Sequence, residues 1–232
     1  MQVRCAECGN VSTLSLAKWR CGCGGAWEPA ARPDFELAKI DPSDYSIWRY
    51  GAFLGLDLSK ASISMGVGWT PLVRVPYSGF RVHFKLEYLS PSGSFKDRGV
   101  SAMVNQIKVM GASSVVEDSS GNAGASLAAH AARYGLKAKI FVPSHASPAK
   151  IRQISLYGAE VVPIAGPRKA SEQAAHAAVD NDHAYASHAY HPAYLAGQIT
   201  AAYELWEQLG RQVPDWIVCP VAQGGQYLGY WF

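Results

Sequence analysis

Apolar positions in this chain follow two alternating periods from about residue 80 onward. Short apolar runs are typical of buried strands, and the segments between them repeat apolar residues every three to four positions, as amphipathic helices do. The runs predict strands at residues 82–86, 114–117, 138–142, 161–164 and 216–221, with another short strand near 184–187. The intervening segments predict helices at about 95–110, 122–134, 147–157, 167–179 and 192–209.

Glycine and proline mark the ends of these helices. Gly111, Gly135, Gly158 and Gly210 follow helical segments where helix C-caps favour glycine, and Pro148 stands in a first helical turn. The alternation of strands and helices predicts an α/β fold with mostly parallel sheets that helices cover on both faces. In such sheets, ligands collect where strands end and helices begin.

The composition is that of an ordinary globular chain. Of its 232 residues, 49% are hydrophobic and 17% are charged, and the formal net charge is +3. The lysines and arginines form no run or stripe, which disfavours a nucleic-acid binder. No apolar stretch reaches membrane-spanning length, and the N-terminus lacks the apolar core of a secretory signal. We therefore expect a cytoplasmic protein without a membrane partner.

Four of the five cysteines lie within the first 23 residues, in a CxxCG pair and a CxCGG pair that twelve residues separate. Two pairs of thiolates suit tetrahedral zinc, and the glycines allow the backbone to bend around a metal. Because four cysteine ligands leave no open coordination position, a structural zinc ribbon is predicted, with a metal-free remnant as the alternative. Cys219 lies in an apolar run and is expected in the core. The candidate ligands are Cys5, Cys8, Cys21 and Cys23.

The run SGSFKDRG at residues 92–99 places a lysine at the junction between a loop and a helix. Ser94 is expected to be the N-cap, and Asp97 three residues later completes a capping-box pattern. Burial of the stem of Lys96 would lower its pKa and leave a neutral amine, which is the form that attacks carbonyl groups. An ordinary capped helix with an exposed lysine is the alternative.

Two further junctions between strands and helices carry unusual chemistry. Residues 118–124 (DSSGNAG) place small hydroxyl and amide groups on a glycine turn, where the N–H groups of the next helix could hold a carboxylate. Residues 222–226 (AQGGQ) follow the last predicted strand, and their glycines would allow the backbone to approach a phosphate. Each segment alone favours a tight turn that binds no ligand.

Three histidines, His183, His188 and His191, form a loose cluster along the sequence. A metal site would need them on one helix face with a carboxylate nearby, but Pro192 starts the helix after them. A metal site there is therefore disfavoured. The aromatic residues of this region are expected to pack in the core rather than to form a stacking platform: Tyr185, Tyr190, Tyr194, Tyr203 and Trp206.

In their order along the chain, the lysine run, the SSGNAG turn and the VAQGGQ loop resemble the fold-type II pyridoxal-phosphate (PLP) enzymes. This is the tryptophan synthase β-like architecture, and the resemblance is to the threonine synthase family within it. It covers nearly the whole chain. The cysteine-rich start and the WRY segment favour the synthase-like branch over the dehydratases. Further segments similar to that family are WRY at 48–50, GWTPL at 68–72 and HP…GQITAAYE at 191–204.

The resemblance implies roles for the residues of the three motifs. Lys96 would form the Schiff base with PLP and, once the substrate displaces it, would act as general base at the substrate's α and β carbons. Asn122 would hydrogen-bond the phenolic oxygen of PLP, while Asp97 and Arg98 would stabilise the helix start. The substrate carboxylate would be held by Ser119, Ser120, Gly121 and Ala123, and the phosphate of PLP by Gln223, Gly224, Gly225 and Gln226.

The implied activity is PLP-dependent elimination and replacement on a small amino acid. Threonine synthases perform it on O-phosphohomoserine and release threonine and phosphate. A serine/threonine dehydratase-type lyase is the first alternative, because that class shares the lysine loop and the SGN turn. The second alternative is a non-catalytic scaffold that keeps the first part of this fold.

The chain ends directly after the predicted phosphate loop, whereas members of the family continue beyond it. We therefore expect a C-terminally short form. It is a fragment, or a chain completed by association as a homodimer or with another chain, or a fold put to another use. The expected domains are a cysteine-rich ribbon at 1–30, a connecting part at 31–95 shared with the large domain, a small α/β domain at 96–165 and the start of a large PLP-binding domain at 166–232.

Overall fold

The computed structural model describes residues 1–31 and 33–232. The first segment contains three short strands: β1 (Gln2–Cys5), β2 (Val11–Thr13) and β3 (Trp27–Pro29). They form one antiparallel sheet in the order β2-β1-β3. Its small core contains Val3 and the side chains of Cys5 and Cys21. The cysteine-rich start therefore folds as a compact ribbon.

Three 3-10 helices and a hairpin connect this ribbon to the rest of the chain. The helices span Leu37–Lys39, Ile47–Phe53 and Ala61–Ile63. Two strands, β4 (Leu72–Tyr77) and β5 (Phe80–Lys85), then pair antiparallel. The prediction of a buried strand at 82–86 is thus partly wrong. A strand lies there, but its side chains are mostly exposed because it pairs with β4 in a separate two-stranded sheet.

The predicted parallel sheet is present and has four strands. They are β6 (Ser114–Glu117), β7 (Lys137–Pro143), β8 (Glu160–Ile164) and β9 (His183–Tyr185). The order is β8-β7-β6-β9, and every neighbouring pair runs parallel. The strands predicted at 114–117, 138–142, 161–164 and near 184–187 are confirmed.

The five predicted helices are confirmed, and each bound lies within two residues of the expected position. Positive φ angles of 87°, 64°, 86° and 69° at Gly111, Gly135, Gly158 and Gly210 show why glycine follows these helices. Across residues 1–31 and 33–232, no helix has the length and apolar character needed to span a membrane. The helices are α1 (Lys96–Val109), α2 (Asn122–Tyr134), α3 (Pro148–Leu156), α4 (Arg168–Ala177), α5 (Pro192–Gln208) and α6 (Gly225–Trp231).

Helices cover both faces of the parallel sheet. Val115 of β6 lies in a core with Val104 of α1 and Leu127 of α2. The next residue, Val116, packs on the opposite face with Ala175 of α4. Successive strand residues point to opposite faces, so these two cores lie on the two sides of the sheet. The predicted α/β fold with helices on both faces is confirmed.

Residues 216–221 form no strand, contrary to the prediction. Trp216 is 87% exposed and Val218 is 95% exposed, and no strand in the described part of the chain pairs with this segment. An apolar run becomes a strand only where a neighbour satisfies its N–H and C=O groups. Cys219 in the same segment is only partly buried, so its assignment to the core is also wrong.

Candidate active site

Lys96 is the first residue of α1, at the end of a loop that Asp97 closes. The carboxylate of Asp97 accepts hydrogen bonds from the backbone N–H of Ser92 at 2.7 Å and from its hydroxyl at 2.5 Å. The prediction that Ser94 caps α1 is wrong. The cap is Phe95, which has helical backbone angles, and no side chain caps this helix. The buried Asp97 carboxylate bonds the loop residue Ser92 instead.

The same carboxylate ties α1 to α2. The hydroxyl of Ser126 in α2 donates a buried hydrogen bond of 2.5 Å to Asp97. Asn122 begins α2 four residues before Ser126, which is about one helical turn. Lys96 and Asn122 therefore begin two helices that this hydrogen bond holds side by side.

The side chain of Lys96 is half-buried, and its amine lies 4.3 Å from the centroid of the Phe95 ring. Burial lowers the pKa of Lys96, and the charge of Glu117 opposes this shift. A lowered pKa increases the fraction of neutral amine, which is the form with a free lone pair for attack on a carbonyl group.

Sequence reasoning missed a buried acid at the end of β6. Glu117 is the last residue of β6, and its complete burial raises its pKa. Its Oε1 lies 3.0 Å from Nδ1 of His188. Burial lowers the pKa of His188 and the Glu117 carboxylate raises it, with a net increase. The available signal was an acidic residue at the end of a predicted buried strand.

Gly124 shapes the turn that follows β6. A Cβ atom on Gly124 would lie 2.0 Å from the carbonyl oxygen of Ser119, so no side chain fits there. The Ser119 hydroxyl accepts a hydrogen bond of 3.3 Å from the N–H of Gly121, which is the N-cap of α2. No side chain caps this helix, which leaves its first N–H groups for another acceptor. The turn residues differ in exposure: Ser119, Ser120 and Gly121 are partly exposed, Asn122 is exposed and Ala123 is buried.

Asp118 fixes the start of this turn. It accepts a hydrogen bond of 2.7 Å from the hydroxyl of Tyr185 in β9 and pairs with Arg168 of α4 at 2.5 Å. The backbone that leads into Ser119 is therefore held by a strand and a helix on the α4 side of the sheet.

The glycine loop before α6 has open space at its centre. Gly224 is the N-cap of α6, with a φ angle of 84° that favours glycine. Nothing lies within 4 Å of the position its Cβ would occupy. Gly225 begins α6, Gln223 is exposed and Gln226 is half-buried.

Tyr194 of α5 brings this loop close to the lysine helix. A Cβ atom on Gly225 would lie 3.2 Å from the Tyr194 ring, and one on Gly99 in the first turn of α1 would lie 2.5 Å from it. The ring therefore touches the starts of both α1 and α6. The structure brings the lysine run, the turn after β6 and the glycine loop to one region.

Arg98, two residues after the lysine, fixes the first turn of α1 by buried ion pairs. It is fully buried and pairs at 2.7 Å with Glu87, in the 3-10 helix Glu87–Leu89, and at 2.7 Å with Glu204 of α5. Lys85 of β5 also pairs with Glu204. Arg98 thus stabilises the helix start, as the sequence suggested.

The four cysteines of the ribbon are gathered at one point. Their Sγ atoms all lie within 4.8 Å of one another, with 3.5 Å between Cys5 and Cys23 and 3.7 Å between Cys8 and Cys21. Zn–S bonds of about 2.3 Å in a tetrahedron separate the sulfurs by about 3.8 Å, so the donor set fits zinc. A hydrogen bond from the backbone of Cys8 lowers the pKa of Cys5 to about 7, which favours the thiolate.

The ribbon packs against the side of the sheet that holds the turn. The ring of Trp19 lies 5.0 Å from Tyr185 and 4.3 Å from His176 of α4, centroid to centroid. The guanidinium of Arg20 stands 4.1 Å over the ring of Tyr190. Because Tyr185 bonds Asp118, the chain of contacts runs from the cysteine ribbon to the turn after β6.

The three histidines of the sequence cluster have separate partners. His183 bonds Asp180 at 2.8 Å, His188 bonds Glu117, and His191 caps α5 by accepting a hydrogen bond from the N–H of Ala193. Within residues 1–31 and 33–232, the four cysteines are the one group of side chains arranged to hold a metal.

Comparison with known proteins identifies the family. Residues 63–232 match the family described as "Pyridoxal-phosphate dependent enzyme". The threonine synthase of Methanocaldococcus jannaschii is 30% identical over an alignment that covers 100% of this chain and 60% of the relative. For the threonine synthase of Synechocystis, the identity is 33%, with 78% of this chain and 49% of the relative covered. The chain thus spans about half to three-fifths of these relatives.

Solved structures agree with this fold. The cysteine synthase of Entamoeba histolytica has a TM-score of 0.65 and 27% identity, and the match covers 70% of this chain and 53% of that one. A fungal L-serine ammonia-lyase from Rhizomucor miehei has a TM-score of 0.64 and 28% identity, over 69% of this chain and 53% of that one. The architecture is that of the fold-type II enzymes.

Proposed function

Since this chain belongs to the family of pyridoxal-phosphate dependent enzymes, we propose that it binds PLP at Lys96 and promotes elimination and replacement on a small amino acid. The observation that carries the proposal is the lysine itself. It is half-buried at the first residue of a helix, and burial lowers its pKa. A lysine with these properties is suited to react with an aldehyde.

The residues around Lys96 fit this cofactor. A phosphate group requires backbone N–H groups at a place where no side chain intrudes, and the glycine loop around Gly224 has such space. An amino acid carboxylate requires donors, and the uncapped first turn of α2 supplies them. The first turn of α2 is held near the start of α1 by the hydrogen bond to Asp97, and the glycine loop lies near it because the Tyr194 ring contacts both.

Each candidate residue has a distinct task in the proposed site. When bound, PLP supplies the electron sink for charge at the α carbon of the substrate. The Lys96 amine takes and returns protons at the α and β carbons, and Asn122 orients the cofactor through its phenolic oxygen. The other candidates divide into phosphate binders, Gln223, Gly224, Gly225 and Gln226, and carboxylate binders, Ser119, Ser120, Gly121 and Ala123.

The proposed substrate is O-phosphohomoserine, converted to threonine and phosphate. Similarity to threonine synthases over the full chain, including the ribbon, supports this choice. Dehydration of serine or threonine is the second candidate, which the likeness to a serine ammonia-lyase favours. A synthase releases inorganic phosphate, whereas a dehydratase releases ammonia and a keto acid. Assays of these products on the two substrates separate the candidates.

The first experiment is an absorption spectrum of the purified chain with added PLP, followed by borohydride reduction and peptide mass mapping. We expect a visible band and, after reduction, a stable adduct on Lys96. The variant Lys96→Ala should lose the adduct, and Lys108→Ala at the other end of α1 should keep it. An adduct on another lysine would overturn the assignment of Lys96. A folded chain with no adduct would support the scaffold alternative.

The cysteine ribbon is proposed to hold one structural zinc ion. The closeness of the four Sγ atoms, all within 4.8 Å of one another, supports this, and four ligands leave no position for a substrate. Metal analysis should find about one zinc per chain. Association as a homodimer or with another chain stays a prediction, which sedimentation velocity would test.

A further inference from the structure

The cysteine ribbon is a small unit whose order depends on its metal site. Its core has five buried residues, and two of them, Cys5 and Cys21, are candidate ligands. Its sheet has three strands of three or four residues. Units of fewer than about 40 residues usually need a metal, a disulfide or a partner to stay folded. We therefore expect the ribbon to be rigid when the four thiolates share a metal ion and to loosen when they do not.

Trp19 belongs to this ribbon and is placed against the sheet. It lies two residues before Cys21, and the indole N–H of Trp27 donates a hydrogen bond of 3.0 Å to the carbonyl of the neighbouring Lys18. The ring of Trp19 lies 5.0 Å from the ring of Tyr185, centroid to centroid. The seam between ribbon and sheet encloses a cavity of only about 10 Å³. Trp19 therefore packs closely on Tyr185 while its backbone is held by the ribbon.

Tyr185 extends this contact to the turn after β6. Its hydroxyl donates a buried hydrogen bond of 2.7 Å to Asp118, the residue before Ser119. Its ring contacts Trp19 from the ribbon and His176 from α4, with the His176 centroid at 4.9 Å. If the ribbon loosens, the Tyr185 ring loses one of these two neighbours.

The second partner of Asp118 is weaker than Tyr185. Arg168 pairs with Asp118 at 2.5 Å, but the Arg168 side chain is 52% exposed. An exposed ion pair contributes little, since water and salt screen it. The buried bond from Tyr185 is therefore the contact that fixes Asp118 and the backbone that enters the turn.

We propose that the metal-loaded ribbon braces the turn of residues 118–124, with Trp19 and Tyr185 as positioning residues. The inference rests on the proposed function, which assigns the substrate carboxylate to this turn. Loss of metal loosens the ribbon, Trp19 no longer supports Tyr185, and the first N–H groups of α2 lose their fixed direction. The cysteine site then controls the order of a turn that lies outside the ribbon.

The test measures the rigidity of the turn by amide nitrogen relaxation, in the full chain loaded with zinc and after chelation. The backbone order parameters of residues 119–121 should be about 0.85 with zinc and fall below about 0.6 without it. The turn at 144–147 after β7, which is held by bonds to Pro143 and Ile164, is the internal control and should not change. Circular dichroism establishes that the chain remains folded.

Variants test each contact between the ribbon and the turn. Tyr185→Phe keeps the ring and the metal but removes the bond to Asp118, so it should lower the order parameters of the turn even with zinc bound. Trp19→Ala should do the same, whereas Trp19→Phe keeps an aromatic ring and should retain the order. Tyr157→Phe, at the end of α3, is the matched control and should leave the turn unchanged.

A loss of order in the turn at 118–124 alone, after chelation and in Tyr185→Phe, supports the brace. An unchanged turn in either case overturns it, as do equal changes in the two turns or a chain that takes up no zinc. If chelation unfolds the chain, the variants with zinc bound decide. If Tyr185→Phe does not fold, chelation of the parent decides.

Failure of the proposed function is separable from failure of the brace. A chain without a PLP adduct whose turn loosens on chelation loses the function and keeps the brace. A normal adduct with a turn that stays rigid on chelation loses the brace only.

Discussion

Ser126 donates a buried hydrogen bond of 2.5 Å to Asp97, and this contact joins the loop that carries Lys96 to the helix that begins at Asn122. The carboxylate also accepts two hydrogen bonds from Ser92, so three donors depend on one side chain. Removing an acceptor from buried donors leaves each of them without a partner, which is more costly than the loss of an exposed bond.

Replacement of Asp97 should therefore destabilise the fold. We expect Asp97→Ala to lower the free energy of unfolding by about 3 kcal/mol, and Ser126→Ala by about 1 kcal/mol, because the second change removes a single donor. Urea denaturation measures both. Asp180→Ala is the matched control, an exposed acid that bonds Asp182 and His183 on the surface, and it should change stability by less than about 0.5 kcal/mol. Equal effects of the two aspartate variants would contradict the role of Asp97.

Gly124 should tolerate no side chain. Its Cβ atom would lie 2.0 Å from the backbone oxygen of Ser119, and backbone cannot move aside as a flexible side chain can. We expect Gly124→Ala to cost about 1–3 kcal/mol of stability and to displace the turn. Gly121→Ala is the comparison, because its Cβ would be 3.9 Å from the nearest atom, and its stability should be near wild type. Urea midpoints that do not differ would contradict this account of the turn.

Removal of metal from the ribbon should loosen the packing of Trp19 against the sheet and lower the stability of the protein. Chelation, or the double change Cys5→Ser with Cys8→Ser, should release the zinc and lower the melting temperature, since metal affinity contributes to folding. Cys219→Ser should retain the metal, because Cys219 lies outside the cluster. Calorimetry and metal analysis on the same samples measure both effects. A parent protein without zinc would contradict the structural metal.

His191 should make the fold sensitive to acid. Burial lowers its pKa to about 4, below the usual value of about 6.5 in an unfolded chain. The folded state therefore binds fewer protons than the unfolded state between these values. Its stabilising contribution is complete above about pH 6.5 and is lost as the pH falls toward 4.

The variant His191→Asn should reduce this acid sensitivity. Asparagine keeps a capping side chain at the start of α5 but does not titrate. Urea midpoints of variant and wild type, compared from pH 8 to pH 4, should show a smaller decline for the variant below about pH 6.5. Other titrating groups are common to both proteins and cancel in the difference. Parallel declines would contradict the assignment.

The sequence predicted the helices and the parallel strands well because their signals are local. The apolar spacing of α2 and the glycine that follows it at position 135 are both visible without knowledge of any neighbour. The resemblance to a known family then predicted roles for the three site motifs, which no single local pattern could specify. The fold class and the family were therefore within reach of the sequence.

The failures involve contacts between distant parts of the chain. Asp97 looked like a capping-box acid, but its partner Ser126 lies on another helix, and no local pattern shows that bond. Residues 216–221 have the composition of a strand, yet a strand also needs a neighbour. The pairing of Glu117 with His188 crosses from the end of β6 to the segment before α5 and was invisible for the same reason.

Tyr194 sets a limit on how this sequence can vary. Its ring would lie 2.5 Å from a Cβ atom at position 99 and 3.2 Å from one at position 225, so the size of this aromatic residue restricts both places. A larger residue at position 99 requires a smaller residue 194 and a shift of the Gln198 amide, which would lie 2.8 Å from the new Cβ atom, whereas one at position 225 requires a smaller displacement of the same ring. The three positions should therefore change together among relatives, with a small residue at 194 accompanying alanine or serine at 99 or 225.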